Sequence, residues 1–581
     1  MAPTFDTCLL KQESNALPMK QPVLYDALAE AFVAEGVDAQ FILMGDGNMH
    51  WTTALSKLPG VQTISFRHEH CTVAAAMAYH LATGKIAAAS VTCGPGLTQL
   101  MTALPAAVRA RIPVVVFAGE SPIDAKFYNQ AIDQAPFVAA CGAHYIAAHS
   151  VPRMLDQVRE AFHIARHERR PVVIGVPYDM QKLPYAQKTP YIPSTKYMPD
   201  GGRAQPDPVH VAALVERIKS AKRPVVLGGR GVLRSGAKVA VEALADRCGA
   251  VLANTLPVRG LFDHHPYSIG VSGGYASNLA REVLSQADLI MAFGASMSYY
   301  TVDGGNLFPQ AFVAQIDDAP RGLRDGMSAA NLYLRADARA SAEIILAALD
   351  KSAGAGKPTA AAIRTNQLAH RIATELPDDH PFEIGPDVVD PRAAIRAIDS
   401  VIPRDWDVVS GSGHQSYFNS QMRGRPAEKF LAIREFGAIG SGLSYAVGVA
   451  AARRLGAESR VVLIDGDGSL LMHIQELETL RREGLRILIC CLNDGAYGAE
   501  IHKFRADGID DSGAIFGRPA FENIAQGFGL RGAEVRDLAS LPKLFESFNG
   551  QGLSEIWNIQ ISDQVTAPSM RKTMAKGHGV M

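Results

Sequence analysis

The sequence predicts an α/β protein made of three doubly wound, parallel-sheet domains. Three observations predict it. Short apolar runs alternate with amphipathic helical stretches along the whole chain, the rhythm of repeated strand–helix–strand units. The strand-like runs are apolar at consecutive positions, as expected of strands covered on both faces. Two stretches rich in proline, glycine and polar residues, 185–208 and 375–391, cut the 581 residues into three comparable parts. The expected domains are 1–190, 205–350 and 385–565, followed by a tail at 566–581. Each part is long enough to bury its own core, and the weak self-similarity speaks against a solenoid.

Composition narrows the function classes. The chain is 48% hydrophobic and 20% charged, like an ordinary globular protein. Its net charge of −1 gives no reason to expect nucleic acid or an anionic membrane as partner. No apolar run reaches bilayer-spanning length. The first fifteen residues lack the basic-then-apolar order of a signal peptide. Cys8, Cys71, Cys93, Cys141, Cys248, Cys490 and Cys491 show no ligand-like spacing, so they are read as reduced and the protein as cytoplasmic.

In the first part the expected strands are "QFILMG" (40–45), "VQTISF" (61–66), "IAAASVT" (86–92), "IPVVVFAG" (112–119) and "RPVVIGVP" (170–177). Glu69 follows the second of these and opens an alanine-rich helix, flanked by His68 and His70. Alone it reads as a first-turn acid that favours the helix dipole. "TCGPG" (92–96) reads as a glycine–proline turn after the third strand. The second part gives "RPVVLGG" (223–229), "GAVLANT" (249–255), "ADLIMAFG" (287–294) and "AFVAQID" (311–317). The third gives "DVVSGS" (407–412), "KFLAIRE" (429–435), "RVVLIDGDG" (460–468), "LRILICCLN" (485–493) and "EIWNIQI" (555–561).

The third part carries the most chemistry. Between strands 460–465 and 486–493, Leu470, Leu471, Ile474, Leu477 and Leu480 recur at helical spacing, with Glu476, Arg481 and Arg482 elsewhere on the wheel. One strand–helix–strand unit with a right-handed crossover ends both strands on the same sheet edge. Asp467, in the Gly466–Gly468 turn, and Asn493 then lie side by side where open α/β sheets bind ligands. The following helix aims its first amides at an anion. A carboxylate and an amide oxygen beside an anion site suit a hard cation bridging protein to phosphate, and Mg²⁺ fits. A lone Gly-Asp-Gly turn would be only a capped helix start. Asn493 at this spacing shifts the balance to the cation.

Strand, Glu69, alanine-rich helix, strand and Gly-Pro-Gly, followed some 370 residues later by the Gly-Asp-Gly…Asn unit, resemble the thiamine-diphosphate-dependent enzymes. The resemblance is nearer to the acetolactate synthase and 2-oxoacid decarboxylase group and covers essentially the whole chain. It implies a pyrimidine-binding, a middle and a diphosphate-binding domain, in that order, and thiamine diphosphate with Mg²⁺ as cofactors. Asp467, Asn493 and the carbonyl of Gly495 match the metal ligands. Gly466, Gly468 and Ser469 match diphosphate contacts, as do His414 and Gln415 of "GSGHQ" (411–415). In "FGAIGSGLS" (436–444), Ile439 matches the wedge that bends the cofactor and the Gly437 carbonyl an acceptor for its amino group. Glu69 matches the carboxylate on the pyrimidine nitrogen, and Gly94, Pro95 and Gln99 of "TCGPGLTQ" match further cofactor contacts.

The implied activity is cleavage or formation of a C–C bond beside a carbonyl, acetolactate-synthase-like and acting on a 2-oxo acid. A non-oxidative decarboxylase, or a C–C hydrolase of a cyclic or aromatic dione, is the alternative. The resemblance also implies that two subunits share each site, hence a homodimer or homotetramer. Departures fall on substrate positions: "EHCT" at 69–72, "MGDGNMHW" at 44–51, and "NQAIDQ" at 129–134, with Ala131 where relatives carry an acid. His50, His70 and Gln130 are therefore the candidates for proton transfer and substrate orientation. The plain readings are a loop residue for His50 and a helix-start residue for His70. Cys71 reads as a small packed residue and His264 and His265 as structural. Some relatives bind FAD in the middle domain and others bind nothing, and "GGRGVLRSG" (228–236) does not decide between them. A Mg²⁺-nucleotide phosphotransferase is disfavoured by the lack of a Gly-x-x-x-x-Gly-Lys-Ser/Thr run. A silent regulatory subunit is disfavoured by the presence of Glu69, Asp467 and Asn493.

Overall fold

The computed structural model describes residues 22–185, 189–198, 201–319, 330–353, 363–454 and 460–575. Cys8, the N-terminal stretch read for targeting and the end of the expected tail lie outside the described residues. The other six cysteines are buried and free. No helix among the described residues is long and apolar enough to cross a membrane.

Three six-stranded, fully parallel sheets follow one another along the chain. The first holds β1 (Ala39–Ile42), β2 (Gln62–Ser65), β3 (Ala88–Val91), β4 (Val115–Glu120), β5 (His144–Ala147) and β6 (Val172–Pro177), in the order β2-β1-β3-β4-β6-β5. The second holds β7 (Pro224–Gly228), β8 (Val251–Asn254), β9 (Ser268–Val271), β10 (Leu289–Phe293), β11 (Phe312–Asp317) and β12 (Leu332–Arg335), in the order β12-β11-β10-β7-β8-β9. The third holds β13 (Asp407–Ser410), β14 (Phe430–Ala432), β15 (Val461–Gly466), β16 (Ile487–Asn493), β17 (Arg531–Val535) and β18 (Glu555–Gln560), in the order β14-β13-β15-β16-β18-β17. The first and third sheets thus share one topology.

Sequence reading missed β5, β9, β12 and β17, and all four are edge strands. β5, β12 and β17 are partly exposed, and the buried β9 is interrupted by Ser268 and Gly270, so none shows the continuous apolar run that marks a doubly covered strand. A second difference lies between β15 and β16. The single expected helix is two short ones, Asp467–Met472 and Glu476–Arg482, broken at His473.

Strand order locates the binding edges. In a doubly wound sheet, ligands sit beyond the carboxyl ends of the strands where the order reverses. In the first sheet that point lies between β1 and β3, whose loops are "MGDGNMHW" and "TCGPG". In the third it lies between β13 and β15, whose loops are "GSGHQ" and "GDGS".

The first and third domains share one apolar cluster. Its seam is helix Glu69–Thr83 packed on helix Gly442–Arg453. Both helices are buried nearly all round, which is why small residues dominate them. Gly448 lies against the backbone of Ala75, and a Cβ there would collide with the Ala75 carbonyl. Alanine normally stabilises a helix interior over glycine by about 1 kcal/mol. At this crossing the overpacking term, about 1–3 kcal/mol, wins. Gly448→Ala is therefore expected to lower the melting temperature, as thermal unfolding would show; a rise would contradict the close helix contact.

Candidate active site

The structure brings the predicted metal residues together. Asp467 and Asn493 are both buried at the carboxyl edge of β15 and β16. Asp467 Oδ1 accepts from the Gly468 N–H at 2.8 Å, and Oδ2 from the Gly495 N–H at 2.7 Å. Asn493 Oδ1 accepts from the same Gly495 N–H at 3.1 Å. Its Nδ2 donates to Asn558 Oδ1 at 2.9 Å and to the Pro519 carbonyl at 3.1 Å. Two acceptors therefore fix the amide so that its oxygen faces the Asp467 carboxylate. Gly495, at φ +76°, makes the turn that brings its N–H to both side chains. Burial pushes the Asp467 carboxyl up to about 6. Asp494, unpredicted, lies close by and is raised well above its usual range by burial and by Asp467. Two buried acids with Arg518 as a positive neighbour, and an amide oxygen turned toward them, fit a hard divalent cation.

The loops around this centre are held by another acid that sequence reading passed over. Asp465 Oδ1 accepts from Gln415 Nε2 at 3.1 Å and from the Gly466 N–H at 2.9 Å. Its carboxylate fills the space that a Cβ on Gly411 or Gly442 would need, which explains a glycine at each position. The Gln415 amide nitrogen is thus engaged inside the protein. Ser469 Oγ accepts from the Gly440 N–H at 2.9 Å, tying the Asp467 helix to the Gly437–Ser441 loop. Gly468 has Tyr497 and Phe516 where a Cβ would go. His414 Nε2 accepts from the Ala567 N–H at 3.1 Å, so in the neutral ring Nδ1 carries the proton. Burial and nearby His502 hold His414 well below its ordinary range. Ile439 is partly exposed in its loop and Gly437 is exposed.

Glu69 begins its helix as expected and is half-buried; burial raises its carboxyl above the usual value. Its turn is held by the third domain. Glu476, fully buried, accepts from the Arg67 N–H at 3.0 Å, and Glu483 accepts from the Ser65 N–H at 3.2 Å. Glu476 also accepts from the Thr479 hydroxyl at 2.5 Å. His70 is buried, its Nε2 2.8 Å from Ser441 Oγ. So the start of the Glu69 helix and the Gly437–Ser441 loop are in direct contact within one chain.

At the first sheet's edge, Gly94 is buried at φ +56° and roofed by the Gln130 carbonyl. Its N–H donates to Gln134 Oε1 at 3.0 Å. Gln134, unpredicted, is held in turn by the Gly119 carbonyl at 3.0 Å. Gln130 Oε1 accepts from the Cys93 thiol at 3.3 Å. Pro95 and Gln99 are exposed. His50 lies in helix Met49–Ser56 with its ring between those of Tyr25 and Tyr178, at 5.6 and 5.9 Å. His264 and His265 pair with Glu242 and Asp246 at 3.2 and 2.9 Å, a structural placement.

A fold of two like-ordered sheets and a third between them in the chain, with a buried acid–amide pair beside one switch point and a glutamate helix docked near it, defines a cofactor-binding α/β enzyme. Family models make the class specific. Residues 23–137 match the thiamine pyrophosphate enzyme N-terminal TPP binding domain, 211–345 the central domain and 411–554 the C-terminal TPP binding domain. The chain belongs to the thiamine pyrophosphate enzyme family. It is 28% identical over 528 residues to the acetolactate synthase large subunit of Parasynechococcus marenigrum (strain WH8102), covering 88% of this chain and 83% of that protein. It is 27% identical over 548 residues to the probable 2-ketoarginine decarboxylase AruI of Pseudomonas aeruginosa, covering 92% and 93%. It is 27% identical over 525 residues to the acetolactate synthase isozyme 2 large subunit of Escherichia coli (strain K12), covering 87% and 90%.

Burial gives His70 a pH signature. Its folded-state pKa is lowered to about 3, whereas an unfolded histidine titrates near 6.5. Below about pH 6.5 the unfolded chain takes up a proton that the folded chain refuses, so stability falls with pH by about 1.4 kcal/mol per unit. Denaturant unfolding at pH 7.5, 6 and 5 should show the fall, and His70→Gln should make it shallower. An unchanged slope in the variant would contradict a neutral buried ring.

Proposed function

We propose that this chain is a thiamine-diphosphate- and Mg²⁺-dependent enzyme that makes or breaks a C–C bond beside a carbonyl, acetolactate-synthase-like and acting on a 2-oxo acid. The observation that carries the reading is the Asp467–Asn493 pair with its amide oxygen turned inward, at the carboxyl edge of β15 and β16 in a domain that matches a TPP-binding model. When bound, thiamine diphosphate supplies a nucleophilic carbon and an electron sink for the bond change.

The chain's residues do the rest. Asp467, Asn493 and the Gly495 carbonyl hold Mg²⁺. Gly466, Gly468, Ser469 and the Nδ1–H of His414 face the diphosphate. Gln415 braces that loop through Asp465. The Gly437 carbonyl and Ile439 seat the pyrimidine ring, and Glu69 holds a proton against its nitrogen. Gly94, Pro95 and Gln99 close the first domain's side. Gln130 and His70 lie inside two of the segments where this chain departs from synthase-like relatives. His50, locked between two tyrosines, acts by shaping the "MGDGNMHW" loop.

A decarboxylase reading is kept alive by the 2-ketoarginine decarboxylase relative, which matches nearly end to end. Assays with pyruvate, phenylpyruvate and a cyclic dione, with and without an acceptor aldehyde, separate ligation, decarboxylation and hydrolysis. An absorption spectrum of the purified protein answers the flavin question. Glu69→Gln should leave thiamine diphosphate affinity within a few-fold yet lower kcat by about 10²–10⁴; turnover at the wild-type rate would sink the mechanism.

The proposal includes a homodimer or homotetramer whose partners share each site. Large apolar side chains stand exposed on the loops of both binding edges: Met44 and Phe127 in the first domain, Phe436, Met472, Tyr497 and Phe516 in the third. Light scattering should return the mass of two or four chains. An active monomer would contradict it.

A further inference from the structure

We propose that His473, with His70 stacked upon it, is a positioning residue that fixes the Gly437–Ser441 loop for the pyrimidine ring; this rests on the reading of that loop as the cofactor's seat. The backbone of Gly440 is held at both its N–H and its carbonyl. Its N–H donates to Ser469 Oγ at 2.9 Å, and its carbonyl lies 2.8 Å from His473 Nδ1. A carbonyl only accepts, so His473 Nδ1 carries the proton and, in the neutral ring, Nε2 is bare. The next residue, Ser441, is held by His70 Nε2 at 2.8 Å. The two rings are parallel within 11°, their centroids 4.9 Å apart. His68 packs its ring edge-on against His473 at 4.9 Å, and its Nδ1 accepts from the His70 N–H at 3.1 Å.

Backbone partners therefore fix the tautomers of His68 and His473, and the stack presents His70 to Ser441. Burial favours the neutral form of all three rings. They form no metal-binding group among the described residues. What remains is a clamp of uncharged imidazoles. It spans from the first domain, where His68 and His70 flank Glu69, to the third, where His473 breaks the helix after Asp467. Gly440, at φ +93°, needs no side chain here because Met472 and the His473 ring occupy the space. The clamp sets how the loop stands against the first domain, and a loop so held presents the Gly437 carbonyl and Ile439 at a constant place.

The test uses the full-length protein and two variant pairs, read by calorimetric titration with thiamine diphosphate in Mg²⁺ and by steady-state kinetics. His473→Ala removes the donor to Gly440 and should weaken thiamine diphosphate about tenfold, the loss of one buried hydrogen bond. It should lower kcat by about tenfold as well, with substrate KM within twofold. His473→Asn places Nδ2 where Nδ1 stood and should restore cofactor affinity to within about threefold. His70→Ala and His70→Gln should repeat the pattern at Ser441, and they decide the matter if His473→Ala does not fold. A folded His473→Ala that binds cofactor and turns over like the wild type overturns the clamp and leaves the cofactor reading standing. So does an Asn variant as impaired as the Ala variant, which would mean packing alone. Wild-type protein that binds no thiamine diphosphate overturns both.

Discussion

Everything about this site depends on one buried carboxylate. Glu476 has no exposed surface, so its charge must be met by hydrogen bonds. It meets them on the Arg67 N–H, just before the Glu69 helix, and on Thr479 Oγ1 at 2.5 Å. The amides at a helix start need acceptors, and here another domain provides one. The first domain is thereby pinned to the third at the turn that carries Glu69. Packing of the alanine-rich helix on Gly448 extends the same contact into the shared core. Removing the acid would leave the Arg67 amide and the Thr479 hydroxyl without this partner, so the position tolerates little.

That joint explains why two copies of one topology are useful. The first and third sheets have the same strand order, so each opens a crevice at the same place. One crevice is lined by acid, amide and glycine turns, the chemistry of a cation and a diphosphate. The other is lined by the Gly94 turn, braced by Gln134 and roofed by Gln130. A long cofactor with a charged end and a flat ring is served by one edge of each kind.

Much of this was legible in the sequence, and the physical reasons are specific. Asp467 and Asn493 could be placed side by side because a parallel crossover leaves no other arrangement of the two strand ends. Central strands announced themselves as unbroken apolar runs, whereas β5, β12 and β17 are partly exposed and β9 carries Ser268 and Gly270 within its four residues. Glu476 and His473 were hidden for another reason. A polar residue off the apolar stripe of a helix reads as solvated, and only the position of a second domain shows that it is buried. Asp465 was hidden inside a strand, its role visible only through the glycines it crowds at Gly411 and Gly442. Gln415, expected to reach a ligand, spends its amide nitrogen on that acid.

The central claim is that Asp467 and Asn493 form a metal-bridged seat for a diphosphate. Calorimetric titration of metal-free protein with thiamine diphosphate, with and without Mg²⁺, tests it most directly. Tight binding is expected only when Mg²⁺ is present, and it should be lost in Asp467→Asn. Equal binding without the metal would contradict the metal bridge, and no binding with it would mean that this edge is a capped helix start and not a cofactor site.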